Sequence, residues 1–398
     1  MLFSFGFRPF FLAAGLYAVL AMAAWLAWIA LRAATAIPAF MTIAEPLHLW
    51  HAHEMVFGYG AAAAGGFLLT AVPSWTGTSA LNGWRLGSIF GLWLLGRVAM
   101  WFTAGLPPLV PAVLDIAFLP VLGILLARKL AVRPKKQNFV FLGLVAMLVA
   151  SNVIFHLGRL NILKDGMSDG TLLGLGSLVV MITVIGGRVV PGFTRNVLVR
   201  RGIEDRLPRS FGFLDRGAII SVLLFFLLQW LDAPGLLVGA VALIGAIVNG
   251  ARLYLWRGLS AANDPILLVL HVGYGWIAAG LALAAAALLF NAISDVAALH
   301  AFSIGAVGTM TLAIMSRAAL GHTGRALVAP RPVVLSYILI SLAALLRVFG
   351  PGLAPGSYEE IMIASGLMWI AAFALYSIVF APILLGPRLQ DRAMAKNV

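Results

Sequence analysis

Apolar residues occupy most of the chain in long runs that are separated by short polar stretches. Twelve runs are long enough, or nearly so, to cross the hydrocarbon core of a bilayer as a helix. This pattern predicts an all-α fold, a polytopic membrane bundle of about twelve transmembrane helices. The predicted helices cover residues 10–31, 48–72, 86–103, 107–127, 138–157, 170–190, 211–231, 235–256, 265–290, 296–316, 332–349 and 361–385.

Composition agrees with the pattern, since 62% of the residues are hydrophobic and only 10% are charged. The longest polar gap runs from about 191 to 210 and leaves no room for a soluble domain. We therefore expect residues 1–398 to form a single transmembrane domain. The first apolar run has no convincing cleavage site, and we interpret it as a retained helix.

The net charge of +13 would suit a nucleic-acid partner, but the basic residues cluster in alternate loops. The loops between them carry few basic residues and seven acidic ones. Because basic loops stay in the cytoplasm, this alternation predicts a multi-pass protein of the bacterial inner membrane with both termini cytoplasmic. The basic charge then serves orientation and contact with the anionic lipid bilayer, with no nucleic acid involved. The basic segments are 128–136, 191–216, 252–257, 317–331 and 388–396.

Three of the seven histidines, His48, His51 and His53, lie together at the start of the second run, and Glu54 follows them. Ionisable groups at the mouth of a membrane helix are costly and indicate function. On a helix His48, His51 and Glu54 share a face, while His53 lies about 160° away from His51. A structural alternative is that these imidazoles only bond water or headgroups. We favour metal ligands, because imidazole suits iron and copper.

The predicted topology divides the histidines between the two sides of the membrane. His48, His51, His53, His156 and His300 fall on the outer side, and we expect them to be metal ligands together with Glu54. His271 and His322 fall on the inner side, where they form a separate cofactor site or have structural roles. His300 and His322 are about 33 Å apart along one helix, so they do not share a metal.

Two further ionisable residues lie inside predicted helices, Arg97 in the third and Asp115 in the fourth. Their depths suit an ion pair, or contacts to a cofactor's carboxylates. Two roles are open for Glu54: it holds the second nitrogen of an imidazole, or it pairs with Arg97.

The sixth apolar run ends in glycines and a proline at residues 186–192. This break predicts an anion site around Arg188 and Arg195, or alternatively a helix end with a snorkelling arginine. With Arg317 at the inner end of the tenth run, these arginines form a predicted basic cluster. Its expected partner is a haem propionate or a phospholipid.

Several motifs occur together, in an order that resembles the NnrS family of bacterial membrane proteins. The resemblance covers nearly the whole chain, and it is specific as a set. It implies a twelve-helix inner-membrane protein with haem and copper, linked to nitric-oxide metabolism, denitrification and tolerance of nitrosative stress. The motifs lie at residues 50–58, 66–77, 96–97, 152–156, 186–196 and 316–325.

The chain has no cysteine, which excludes iron–sulfur clusters, thiolate copper sites and covalently attached c-type haem. The haem that the resemblance implies would therefore be bound non-covalently, and we expect haem b. The sequence lacks an adjacent pair of histidines, so a copper centre of the haem–copper oxidase type is not expected.

Two functions are open at this level. One is a haem–copper protein that binds, senses or turns over nitric oxide, and that would be an oxidoreductase if it turns over. The other is a transporter for a small anion or metal species, with its site at the glycine-broken sixth run. The concentration of histidines on one side favours the first.

Overall fold

The computed structural model describes residues 1–32 and 43–389, and within these residues it contains helices and no strand. Long apolar runs form helices in a bilayer because a helix satisfies every backbone polar group internally. The twelve long helices are α1 Phe7–Arg32, α2 Leu47–Thr76, α3 Gly83–Trp101, α4 Leu109–Val132, α5 Val140–Arg159, α6 Gly166–Arg200, α7 Gly212–Trp230, α8 Gly235–Leu255, α9 Pro265–Phe290, α10 Asp295–His322, α11 Arg331–Leu353 and α12 Tyr358–Leu385.

Eleven helices of the described residues are long and apolar enough to cross a membrane. The helix that falls short is α3, which has 19 residues and carries Arg85 and Arg97. The all-α, multi-pass prediction is thus confirmed, with eleven spans by length and composition in place of twelve. The side of the membrane on which each terminus lies stays a prediction.

The predicted break in the sixth run was wrong. Helix α6 continues through Pro191 to Arg200 and has 35 residues, so it is about 52 Å long. The glycines serve packing instead. Gly187 has no side chain, and the guanidinium of Arg252 on α8 occupies the space that a Cβ atom would need. Arg252 Nη1 donates to the Thr183 carbonyl at 2.9 Å, which fixes α8 against α6.

Two helices change their winding just after a histidine. In α2 the segment Glu54–Gly60 is π-helical, and in α10 the segment Ala301–Gly308 is π-helical. The first follows His53 and the second follows His300. Such wide turns inside α-helices often occur at functional sites.

The described residues divide into two compact units. The histidines of α2 and α5 belong to unit 1, and those of α9 and the start of α10 belong to unit 2. The expectation of a single transmembrane domain stays a prediction. Unit 1 takes its residues from Met1–Ser177, Ala318–Ala326 and Phe373–Val398, and unit 2 from Leu178–Arg317 and Leu327–Ala372.

Within unit 1, glycines let α5 and the start of α6 touch through their backbones. A Cβ atom on Gly170 would lie 2.5 Å from the backbone nitrogen of Phe155, and one on Gly166 would lie 2.7 Å from the Gly158 nitrogen. Close backbone approach of this kind is typical of membrane helix pairs. The contact matters for chemistry because His156 directly follows Phe155.

Replacing Gly170 by valine should therefore force α5 away from α6. Overpacking against backbone costs about 3 kcal/mol, and we expect the free energy of unfolding in detergent to fall by that amount. The matched control is Gly143→Val on α5, where a Cβ atom would meet nothing within 4 Å. Equal stability of the two variants would contradict this packing.

A buried histidine and carboxylate centre

Three potential metal ligands from different helices meet inside unit 1. They are His53 of α2, Asp115 of α4 and His156 of α5, and one ligand atom from each lies within 4.8 Å of the others. His156 Nε2 is 2.8 Å and His53 Nε2 is 3.1 Å from the same carboxylate oxygen, Asp115 Oδ2. All three side chains are buried. The arrangement offers two imidazoles and one carboxylate to a single point.

Asp115 is also tied to a cation and an amide. Arg97 Nη2 forms an ion pair with Asp115 Oδ1, which confirms the ion pair that the depths of the two residues suggested. Asn152 Nδ2 donates to Asp115 Oδ2 at 2.9 Å, and Asn152 Oδ1 lies 3.1 Å from His53 Nε2. Asn152 therefore positions both His53 and Asp115.

Glu54 has both of the roles that the sequence left open. Its Oε1 atom accepts from Arg97 Nη1 at 2.6 Å and lies 2.8 Å from His53 Nδ1. Its Oε2 atom accepts from the Tyr17 hydroxyl, and Trp101 Nε1 donates to that hydroxyl at 3.0 Å. Every oxygen of this buried carboxylate is thus occupied.

The hydrogen bonds leave His53 with an unusual surplus of acceptors. Glu54 faces Nδ1, while Asp115 and Asn152 present oxygens to Nε2. A neutral imidazole donates from only one of its two nitrogens. The lone pair of the other nitrogen would therefore point at an oxygen atom. Two carboxylates and one guanidinium also leave this cluster one positive charge short. A singly charged cation at Nε2, a proton or a monovalent metal ion, would correct both.

The local sequence explains how Glu54 and Tyr17 come so close. A Cβ atom on Gly58 would lie 2.5 Å from Tyr17 Cε1 and 3.2 Å from Glu54 Oε2. Glycine at this position in the π-helical turn therefore admits the phenol ring. Trp93 Nε1 donates to the Gly58 carbonyl at 3.0 Å, which holds α3 against the same turn.

The sequence model of the NnrS family, described as "NnrS protein", matches residues 1–388. The chain belongs to the NnrS family. A search of curated proteins found no match. In this member of the family, the motif at residues 50–58 supplies His53, Glu54 and Gly58, and so carries one whole side of the buried centre.

Three further histidines of unit 1 lie outside this centre. His51 is half-buried, and its ring stacks on Trp25 with centroids 4.8 Å apart. His48 is exposed. His322 is exposed at the end of α10, with its ring centroid 5.5 Å from that of Phe7. The ligand roles of these three stay predictions.

In unit 2, His300 and His271 have different surroundings. His300 Nδ1 is 2.7 Å from the Val296 carbonyl, so it donates there and Nε2 keeps its lone pair. His271 Nε2 is 2.9 Å from Thr194 Oγ1, and a Cβ atom on Gly258 would lie 2.7 Å from His271 Nδ1. His271 Nε2 is thus paired with Thr194, whereas its Nδ1 atom is buried beside Gly258 and has no hydrogen-bond partner among the described residues.

The three arginines of the predicted basic cluster differ in burial. Arg188 and Arg195 are exposed on α6, whereas Arg317 is buried on α10. Arg317 is thus the one member of the predicted cluster whose side chain is buried. Arg97, also predicted as a cofactor contact, pairs with Glu54 and Asp115.

Sequence reasoning did not place Asp115, Asn152 or Tyr17 in one centre with His53. The available signal for Asp115 was a lone carboxylate in an apolar run, which is costly and therefore functional by default. Tyr17 gave no signal, because a tyrosine in a first membrane helix is unremarkable on its own.

Asp115→Asn should destabilise the protein strongly. It leaves the buried Arg97 with one carboxylate in place of two, and breaking a buried ion pair costs about 3 kcal/mol. Chemical unfolding in detergent measures this. Asp205→Asn is the control, because Asp205 and its partner Arg206 are exposed and such pairs contribute little. A loss no larger than that of the control would show that the Asp115 contacts do not stabilise the fold.

Proposed function

We propose that this protein binds haem and copper in the bacterial inner membrane and binds or turns over nitric oxide or a related small ligand. Family membership supports the link to nitric-oxide metabolism and nitrosative-stress tolerance. The observation that carries the chemical part is the convergence of His53, His156 and Asp115. The alternating basic loops support a topology with both termini cytoplasmic.

The donor set fits a copper ion. Imidazole is a preferred ligand of copper, and the one excess negative charge of the cluster matches a monovalent copper ion and offsets half the charge of a divalent one. His53 Nε2, His156 Nε2 and an Asp115 oxygen would hold it. When bound, the metal supplies a redox-active centre with coordination positions left for a small ligand.

The surrounding side chains orient and seal this centre. Glu54 accepts from His53 Nδ1 at 2.8 Å, which directs Nε2 toward Asp115 and makes the imidazole a stronger ligand. Arg97 balances the charge of both carboxylates. The rings of Phe155 and Phe57 lie 4.2 and 4.9 Å from the His53 ring and exclude water from it.

Tyr17 adds a proton donor to the same hydrogen-bonded chain. Its hydroxyl proton is held at Glu54, which in turn contacts His53. The chain thus connects Tyr17 to the metal-binding face without leaving the buried cluster. A phenol in this position can hold or give up a proton while the surroundings stay dry.

For haem, His300 has the most suitable ligand atom. The bond from its Nδ1 to the Val296 carbonyl fixes the tautomer and leaves Nε2 as the donor, which is the usual state of an imidazole that binds metal. Arg347 is its charged neighbour and suits a propionate. His271 keeps Nε2 at Thr194 and could offer only its Nδ1 atom, which is buried beside Gly258, so we place it second.

The structure removes the main support for the alternative that the protein is a transporter. It needed a sixth helix broken at residues 186–192, and α6 is continuous there. A continuous helix with an arginine of α8 packed against its glycine offers no unwound backbone to a substrate.

Metal analysis and optical spectra of the purified protein test the proposal. The wild type should show a haem Soret band and bound copper, and His53→Ala or His156→Ala should lower copper content at least about tenfold, since even neighbours of ligands have effects of that size. His48→Ala should keep full copper, because His48 is exposed. Full copper in the His53 and His156 variants would exclude this site, and a colourless, metal-free wild type would exclude the function.

Glu54→Gln tests the role of the carboxylate that holds His53. We expect copper affinity to fall about tenfold, together with lower stability, because both His53 and Arg97 lose charged contacts. Glu204→Gln, at an exposed loop position, is the matched control. Unchanged copper affinity and stability would rule out both roles of Glu54.

A further inference from the structure

Arg317 of α10 is a buried cation without a close polar partner. Only 8% of its surface is exposed. Within the described residues it makes no hydrogen bond and no ion pair within 4.0 Å. Its guanidinium carbon lies 3.7 Å from the centre of the Phe193 ring, which covers one face. Buried charges are normally paired, so the edge of this guanidinium is available to an acceptor.

The charged groups around Arg317 leave a net positive charge. Asp264 attracts it from beyond ion-pair distance, Arg200 repels it, and Tyr337 is a further polar neighbour. Two guanidinium groups and one carboxylate sum to one excess positive charge. A singly charged oxyanion would neutralise this group and accept hydrogen bonds from Arg317.

These residues share one level of unit 2. Phe193 and Arg200 lie near the end of α6, Asp264 directly precedes α9, and Tyr337 lies near the start of α11. Arg317 lies about 8 Å before the end of α10 at 1.5 Å per residue. Helix ends are at headgroup depth in a bilayer, where phosphate groups are concentrated.

We propose that Arg317 is the centre of a phosphate-binding site whose ligand is the headgroup of an anionic phospholipid. The planar guanidinium matches two phosphate oxygens, and Phe193 holds it in the orientation needed for such a two-pronged contact. The site is independent of the metal centre. Free phosphate has the same chemistry, and the experiment separates the two sources.

Purified, delipidated protein in neutral detergent is titrated with phosphatidylglycerol, phosphatidylcholine or inorganic phosphate. Bound lipid is counted by native mass spectrometry, and protection is measured by thermal unfolding. Phosphatidylglycerol should bind and protect the wild type, and Arg317→Gln should weaken that binding about tenfold. Protection by inorganic phosphate that also depends on Arg317 would assign the site to free phosphate.

Arg195→Gln is the matched control, because Arg195 is an exposed arginine near the end of α6. It should bind phosphatidylglycerol like the wild type. Arg317→Lys keeps the charge but loses the planar guanidinium, so we expect its affinity for phosphatidylglycerol to lie between those of the wild type and Arg317→Gln. If Arg317→Gln does not fold, this variant still tests the proposal. Equal lipid affinity in the wild type and both Arg317 variants would overturn the proposal. Loss of haem from Arg317→Gln with unchanged lipid affinity would overturn it in favour of a propionate contact.

Discussion

Arg97 holds two buried carboxylates together, and the rest of the centre depends on this interaction. Glu54 and Asp115 come from different helices and are fully buried. Without a cation between them, their mutual repulsion and the loss of hydration would separate α2 from α4. Arg97 comes from α3, which among the long helices of the described residues is the one not apolar enough to count as a span. Arg97 is therefore one of the two arginines that lower the hydropathy of α3.

Buried ion pairs seldom add net stability, because desolvation offsets the attraction. A well-packed apolar cluster at this position would serve the fold as well. The presence of two carboxylates, a guanidinium and two imidazoles in one buried cluster therefore points to a functional role. The glycines support the same conclusion, since Gly58 admits Tyr17 and Gly170 brings α5 close enough to position His156.

Periodicity and run length were sufficient to predict an all-helical membrane protein, because in lipid the backbone allows few alternatives. Ligand types were also predictable, and His53, His156 and Glu54 do meet. The partners that complete the centre were not, because Asp115, Asn152 and Tyr17 reach it only through the packing of α1, α4 and α5. At the sixth run, by contrast, the sequence predicted a helix break that the structure does not contain. Glycine and proline usually end helices, but at Gly187 the missing side chain serves contact with Arg252.

The charge balance of the centre connects its fold to its function. Two carboxylates face one guanidinium, so with a neutral His53 the cluster carries one more negative than positive charge. His53 lies between acceptors on both ring nitrogens, so one nitrogen of the neutral ring faces an oxygen without a proton between them. Protons and metal ions compete for a nitrogen in such surroundings. The same contacts that let the helices assemble therefore create the charge and hydrogen-bonding environment in which we propose that a metal binds.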